Sequence, residues 1–129
     1  MTLLLDTHAL IWHAAESVNL SETARQEIEA ADHLLANAIS AWEIGMLVEK
    51  GRLSLVYDTA TWVDLAGKLP KFHWISLDPE VALNASRIPG RFQGDPADRL
   101  ITATALTLGV PIVTADRRIR DYPHVKTIW

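Results

Sequence analysis

The sequence predicts an α/β fold in which helices cover the faces of a parallel sheet. Three observations support this prediction. Short apolar runs alternate with longer helical patterns from one end of the chain to the other, and no repeat, low-complexity tract or linker interrupts them. The chain has 129 residues, of which 49% are hydrophobic and 22% charged, as is typical of one globular domain. We therefore expect a single domain over residues 1–129.

Five short apolar runs are predicted to be the strands of this sheet. They are Thr2–Leu5, His33–Ala36, Trp74–Leu77, Pro111–Val113 and Val125–Ile128. In an open parallel sheet, ligands bind just beyond the carboxyl ends of the strands. Polar residues that directly follow these runs are therefore candidates for a functional site.

Capping residues predict where the intervening helices begin and end. The predicted helices run from the cap Ser21 to about Ala31, from Ile39 to Lys50 and Gly51, from the cap Asp58 to Leu69 and Pro70, and onward from Asp78 with Pro79 and from Asp95 with Pro96. Residues 87–94 contain one proline and two glycines, so we expect them to form a loop.

Composition and charge exclude several kinds of protein. The chain has no cysteine, which removes disulfides, thiolate zinc sites and cysteine nucleophiles and fits a reducing compartment. The opening apolar stretch lacks a basic start, is interrupted by Asp6 and is shorter than a membrane span. We therefore expect a cytoplasmic protein without membrane insertion. A net charge of −4 disfavours nucleic acid binding unless acids are gathered in one metal-filled pocket.

Two aspartates stand where strands of the sheet end. Asp6 directly follows the first predicted strand, and Asp116 follows the fourth after Thr114 and Ala115. Both positions meet at the ligand-binding edge of a parallel sheet. The alternative interpretation is that each aspartate caps the helix that follows it.

An acidic residue also falls on an apolar helix face. Glu43 lies within the stripe that Ile39, Trp42, Met46 and Leu47 form by helical spacing. A carboxylate that faces a core is unfavourable unless a partner neutralises it. That partner is a ligand, an arginine, or water at a partly exposed rim. Ser40, one turn earlier, either binds the same ligand or caps the helix.

The last candidate acid lies in the first turn of the helix over Ala97–Leu108. The apolar face of this helix is predicted to consist of Leu100, Ile101, Ala105 and Leu108. Asp95 and Asp98 have the spacing of a capping box, with aspartate in place of the usual glutamate, and both suit the positive end of the helix dipole. Helix stabilisation alone would explain them. We interpret Asp95 as a cap first and as an outer residue of a site second.

Four acids from distant segments, Asp6, Glu43, Asp98 and Asp116, thus fall at strand ends or on inward helix faces. Grouped carboxylates repel one another unless a cation lies among them. Oxygen donors without cysteine or paired histidines suit Mg²⁺ or Mn²⁺ rather than zinc. Such ions activate water for attack on a phosphodiester, so we expect these four acids to be both the metal ligands and the catalytic residues.

Four sequence blocks resemble those of PIN-domain ribonucleases, specifically the toxins of VapBC-type toxin-antitoxin modules. The blocks are LLLDTHALIW at 3–12, SAWEI at 40–44, GDPADRLITATAL at 94–106 and IVTAD at 112–116. The resemblance implies a three-layer α/β/α sandwich with about five parallel strands and a single nuclease domain. It also implies RNA as substrate, Mg²⁺ or Mn²⁺ as cofactor, a cognate antitoxin and a homodimer.

By position, the resemblance assigns the family's four acidic residues to the acids named above. It assigns Thr7 and Thr114 to the small polar residues near the metal. The segment 52–91 matches no motif, so the choice of RNA and the partner surface are not predicted.

Basic and aromatic residues near the acids have open roles. Arg99 follows Asp98, and Arg117, Arg118 and Arg120 follow Asp116. They hold substrate phosphates, pair with the carboxylates or are solvated, and we list Arg99 and Arg117 as candidate substrate contacts. The five histidines lack metal-ligand spacing. His8, two residues after Asp6, either lines the pocket or is a packed or exposed histidine, and we favour the second interpretation. The five tryptophans are expected to lie mostly in the core, and the alternative is that one or two of them anchor a partner helix or a base.

Two other functions compete with a nuclease. The first is a non-catalytic module of the same fold that binds RNA or protein. The second is a phosphoryl-transfer enzyme with an aspartate after the first strand. The second would require another acid at position 7 or 8 or a lysine after a late strand, and neither is present. Four acidic candidates favour the nuclease.

Overall fold

The computed structural model describes all residues from 1 to 129 and is built around one sheet of five parallel strands. The strands are β1 Thr2–Leu5, β2 His33–Asn37, β3 Phe72–Ile75, β4 Ile112–Val113 and β5 Thr127–Ile128. Their order across the sheet is β3-β2-β1-β4-β5, which places β1 in the centre. Because β1 and β4 are neighbours, the segments that leave their carboxyl ends lie side by side.

Seven helices connect and follow the strands. They are α1 Thr7–Ala14, α2 Glu22–Ala30, α3 Ala38–Glu49, α4 Thr59–Ala66, α5 Pro79–Ala85, α6 Pro96–Leu108 and α7 Arg117–Arg120. Before each helix stands a side chain that accepts a hydrogen bond from a backbone N–H of its first turn. The predicted caps Ser21, Asp58, Asp78 and Asp95 are confirmed. Helix α3 is capped by Asn37, so Ser40, which lies inside the helix, is not its cap. None of the helices combines the length and the apolar character that a membrane crossing requires.

The helices cover both faces of the sheet. Leu3 and Leu5 of β1 belong to a cluster of 15 buried residues that includes side chains from α1 and α2. Leu4 points to the other face and packs with Ile101 of α6 and Ile119 of α7. Side chains of a strand alternate between the two faces, so a run of three leucines serves both layers. The predicted three-layer α/β/α sandwich is confirmed.

Several predicted boundaries were wrong. The third strand lies two residues before the predicted Trp74–Leu77, because Phe72 is the buried residue that pairs with Leu34 of β2. The fourth and fifth strands have two residues each and are shorter than predicted. Helix α4 ends at Ala66, before the predicted Leu69.

Two apolar side chains predicted to face the core are exposed. Trp42 is 58% exposed, because α3 buries Ser40 and Ile44, and a residue midway between two positions of one face points to the opposite side. Leu108 is 48% exposed, because it is the last residue of α6 before Gly109, whose left-handed φ of 68° ends the helix.

Candidate active site

A cavity of about 300 Å³ opens at the carboxyl edge of β1 and β4. The backbone N–H of Asp6 donates to the carbonyl of Val113 at 3.1 Å, which fixes the exits of the two strands relative to each other. The cavity is lined by Asp6, Thr7, His8, Trp12, Glu43, Asp98, Ile101, Ala115 and Asp116. All four acids singled out in the sequence therefore lie around one cavity.

Asp6 is buried and both of its carboxylate oxygens are hydrogen-bonded. Oδ1 accepts from the backbone N–H of Ala9 at 2.8 Å, and Oδ2 accepts from the hydroxyl of Thr114. Burial raises the pKa of Asp6, although these two hydrogen bonds lower it in part. Asp6 is thus a helix cap and a cavity acid at the same time. Thr114 holds it, as expected of a small polar residue beside the site.

Glu43 reaches the same cavity from α3. Its Oε1 accepts a hydrogen bond from the hydroxyl of Thr7, and the Thr7 oxygen lies 2.9 Å from that of the fully buried Ser40. The partner of Glu43 is therefore a hydroxyl rather than an arginine. Burial raises the pKa of Glu43, and the nearby charges of Asp95 and Asp6 add to the effect.

Asp98 and Asp95 form the reciprocal capping box that their spacing predicts. Asp95 Oδ1 accepts from the N–H of Asp98 at 2.9 Å, and Asp98 Oδ2 accepts from the N–H of Asp95 at 3.4 Å. Burial first, and then the charges of Asp95 and Asp116, raise the pKa of Asp98 to about 7. Asp95 is exposed and does not line the cavity, so the structure places it as a cap.

Arg118 contacts two of the acids, and the sequence did not distinguish it from Arg117 and Arg120. Its Nη2 lies 3.1 Å from Asp98 Oδ2 and 2.9 Å from Asp116 Oδ2. Burial raises the pKa of Asp116, but the hydrogen bonds and charge of Arg118 outweigh it, so the net pKa lies below the ordinary value. The protein thus supplies one cation of its own to the acidic cavity.

The two arginines chosen as candidate substrate contacts do not line the cavity. Arg99 donates through Nε to the carbonyl of Ala85 at 3.2 Å, and its guanidinium carbon lies 5.9 Å from the centre of the Phe92 ring. It therefore ties α6 to the end of α5. Arg117 is exposed, and its side chain makes no ion pair.

His8 and Trp12 line the cavity. The sequence favoured a packed or exposed His8 over one that lines the pocket, and it favoured a core position for most tryptophans. Their ring centres are 5.6 Å apart, and the Trp12 ring lies 5.7 Å from that of Trp129. One signal could have found them. They are four residues apart on the helix that Asp6 caps, so they share a face at the end of β1.

The donor set of the cavity fits a hard divalent cation. Every acidic side chain offers oxygen, and neither cysteine nor paired histidine is present. Burial raises the pKa values of three of the four carboxylates, and the charges of neighbouring acids add to this effect. As placed, no three of these side chains converge closely enough to hold an ion, and Arg118 bridges two of them. The side chains therefore have the chemistry that a divalent cation requires, but the carboxylates would have to move closer together to bind it.

Comparisons with known proteins agree with this fold. The PIN domain family matches residues 3–125. The chain is 41% identical to Ribonuclease VapC22 of Mycobacterium tuberculosis over 130 residues, which cover 99% of this chain and 98% of that protein.

Solved structures of similar fold include DNA-bound VapBC from Salmonella typhimurium, with a TM-score of 0.71, 18% identity and coverage of 98% of this chain and 96% of that chain. VapBC2 from Rickettsia felis, bound to a DNA fragment from its promoter, has a TM-score of 0.70 and 15% identity, and the match covers 98% of this chain and 97% of that chain. VapC20 of M. tuberculosis, a toxin that cleaves the sarcin-ricin loop, has a TM-score of 0.68 and 12% identity, and the match covers 96% of this chain and 97% of that chain.

Proposed function

Since the chain belongs to the PIN domain family, we propose that it is an endoribonuclease and the toxin of a type II toxin-antitoxin module. The observation that carries the proposal is the meeting of four carboxylates from four separate elements around one cavity. The likeness to a ribonuclease over nearly its whole length supports the reaction, and the VapBC structures of the same fold support the module.

We expect Asp6, Glu43, Asp98 and Asp116 to hold Mg²⁺ or Mn²⁺ and to be the catalytic residues. When bound, such an ion activates a water and stabilises the charge that develops on the phosphodiester. The chain's own side chains prepare the site. Thr114 and Thr7 hold the carboxylates of Asp6 and Glu43 by hydrogen bonds, which orient these two side chains toward the cavity.

Arg118 has a separate part in this mechanism. Its guanidinium neutralises Asp98 and Asp116 while no ion is bound, which lets four acids share one cavity in a folded chain. Asp98 and Asp116 would hold an ion through the same oxygens that now contact Arg118. The guanidinium would then be available to hold a substrate phosphate.

An apolar groove offers a surface for the antitoxin. It lies between the end of α1 and α4 and is lined by Ala14, Tyr57, Trp62, Leu65, Ala66 and Leu69. Tyr57 of this lining and its neighbour Val56 are exposed large hydrophobic residues. We infer that the antitoxin lays an apolar segment in this groove and brings a basic side chain to the carboxylates, where it replaces the charge of the metal.

The expected homodimer and cytoplasmic location stay predictions. Exposed Leu83 of α5 and Leu108 of α6 provide apolar surface for a second copy, and sedimentation of the purified chain tests this. A chain that cuts cellular RNA works where that RNA is, so we expect it in the cytoplasm.

Cleavage of a panel of single-stranded and hairpin RNAs by the purified chain tests the proposed function. We expect cleavage with Mg²⁺ or Mn²⁺, none in chelator, and a large loss in Asp6→Asn. Binding of RNA without cleavage under every metal condition would instead identify a non-catalytic binding module of the same fold.

A further inference from the structure

Helix α1 presents two aromatic side chains to the acidic cavity. His8 and Trp12 are separated by one helical turn, so their side chains lie on the same side of the helix. Their ring centres are 5.6 Å apart with planes inclined by 50°. His8 is exposed, whereas Trp12 is only partly so, which makes His8 the outer ring of the pair.

The core fixes the inner rings of this aromatic row. Trp12 and Trp129 lie 5.7 Å apart and both pack against the cluster of 15 buried residues. A ring that already packs against the core loses little conformational entropy when a ligand contacts it. Little of the binding free energy is therefore lost in ordering the side chain. His8 therefore forms the solvent-facing end of a supported row of three rings.

The rest of the cavity lining provides no other flat surface. Beyond the two rings it consists of the four carboxylates, Thr7 and the aliphatic Ile101 and Ala115. Carboxylates bind a phosphodiester only through a metal ion, and they repel the oxygen-rich parts of a nucleotide. A nucleobase attached to that phosphodiester is uncharged at its faces, and an aromatic ring is the surface that it prefers, at roughly 1–3 kcal/mol per base.

We propose that His8, supported by Trp12 and Trp129, is a stacking platform for the nucleobase that flanks the scissile phosphate. The proposal rests on the proposed ribonuclease function and adds a subsite to it. Stacking uses the face of the base and not its edge, so this subsite accepts all four bases. It positions the RNA chain, while the choice of sequence arises elsewhere.

The test uses a short single-stranded RNA that the wild-type chain cleaves, and copies of it with an abasic nucleotide on either side of the cleaved bond. We expect His8→Ala to lower kcat/KM on the intact RNA by roughly five- to a hundredfold, the range that corresponds to one stacked base. His8→Phe should restore most of it. On the RNA that lacks the stacked base, wild type and His8→Ala should cleave equally well.

His73→Ala is the matched control, because His73 is also an exposed histidine in contact with another ring, that of His33, but lies on the edge strand β3. It should cleave like the wild type, and melting curves confirm that each variant folds. If His8→Phe is as weak as His8→Ala, or if the loss is the same on abasic RNA, stacking is the wrong account. Unchanged cleavage in His8→Ala overturns the subsite alone, whereas a wild type that cleaves no RNA overturns the ribonuclease function as well.

Discussion

The Arg118 guanidinium lies 3.1 Å from the carboxylate of Asp98, so a cation carried by α7 stands against an acid carried by α6. The same nitrogen is 2.9 Å from Asp116, which caps the helix that bears Arg118. One side chain thus neutralises two of the four acids and links the end of β4 to the start of α6. A divalent ion bound by these acids would compete with it for the same oxygens.

Replacing Arg118 should therefore lower the stability of the metal-free protein and increase the stabilisation that Mg²⁺ provides. In chelator we expect Arg118→Gln to lower the free energy of unfolding by about 0.5–1 kcal/mol, because two carboxylates lose their cation at a partly exposed position. Added Mg²⁺ should then stabilise the variant more than the wild type, since the ion no longer displaces an arginine.

Thermal unfolding in chelator and in a Mg²⁺ titration measures both effects. Arg120→Gln is the control, because Arg120 is exposed on the same short helix and makes no ion pair. If both arginine variants respond to Mg²⁺ as the wild type does, Arg118 and the ion do not share ligands.

The stability of the metal-free protein should fall as the pH rises. Asp98 has an ordinary pKa of 3.8 and a folded-state pKa of about 7, so between these values the folded chain holds a proton that the unfolded chain releases. This contribution is complete below about pH 4 and is lost as the pH approaches and passes 7. In chelator, we expect a lower urea midpoint at pH 8 than at pH 5.5.

Asp98→Asn should flatten this pH dependence and be more stable than the wild type at pH 8 in chelator, by about 1 kcal/mol or a few degrees in Tm. Asp116→Asn is the opposite case. Arg118 lowers the pKa of Asp116, so its charged form stabilises the folded state and its removal should destabilise the protein. Equal shifts of the same sign in both variants would contradict these assignments.

Asp6→Asn should lower RNA cleavage by at least roughly tenfold and leave the fold intact. Asparagine can still cap α1 through its carbonyl oxygen, but it offers one uncharged oxygen in place of a carboxylate. Asp78→Asn makes the same chemical change at a cap of α5 that does not line the cavity, and it should cleave normally. Initial cleavage rates, with melting curves for folding, decide the point, and full activity in Asp6→Asn would remove this acid from the site.

Thr7→Val should reduce cleavage because Glu43 loses the hydroxyl that donates to it. Thr7→Ser keeps that hydroxyl and should retain most of the activity. The two variants differ from the wild type by similar small changes in volume, so a loss confined to valine isolates the hydrogen bond. Cleavage rates at saturating RNA give the comparison, and equal losses in both variants would assign the effect to packing.

In cells, production of the chain alone should arrest growth, and coexpression of its antitoxin should restore it. Leu65→Glu places a charge in the apolar groove and should weaken the rescue without lowering cleavage by the purified chain, because the groove is separate from the acidic cavity. Colony counts with and without the antitoxin measure this. Full rescue of the Leu65→Glu toxin would place the antitoxin on another surface.

The acids could be predicted from the sequence because their positions depend on local patterns. Asp6 and Asp116 follow apolar strands, and the Asp95–Asp98 box is visible in the spacing of the two residues. The family blocks then supported a common site. Two predictions were wrong, the inward orientation of Trp42 and the start of the third strand. Both lie where several consecutive apolar residues fit more than one periodicity.

The role of Arg118 could not be predicted from local sequence patterns. Three arginines follow Asp116 within one short helix, and which of them turns toward Asp98 depends on how α7 packs against α6. The pocket-lining position of His8 was the less favoured alternative, and that of Trp12 was not predicted, for a similar reason. Their helical spacing was visible, but the ring of Trp129 that supports them comes from the other end of the chain.

Three of the four acids of the cavity also accept hydrogen bonds from backbone N–H groups at the start of a helix: Asp6 for α1, Asp98 for α6 and Asp116 for α7. Asparagine serves as a cap about as well as aspartate. We therefore expect Asp6→Asn to reduce cleavage strongly and to preserve the fold of the chain. Because the apolar groove is separate from the acidic cavity, such a variant would still bind the antitoxin, and its production beside the active chain would leave less antitoxin to restrain that chain.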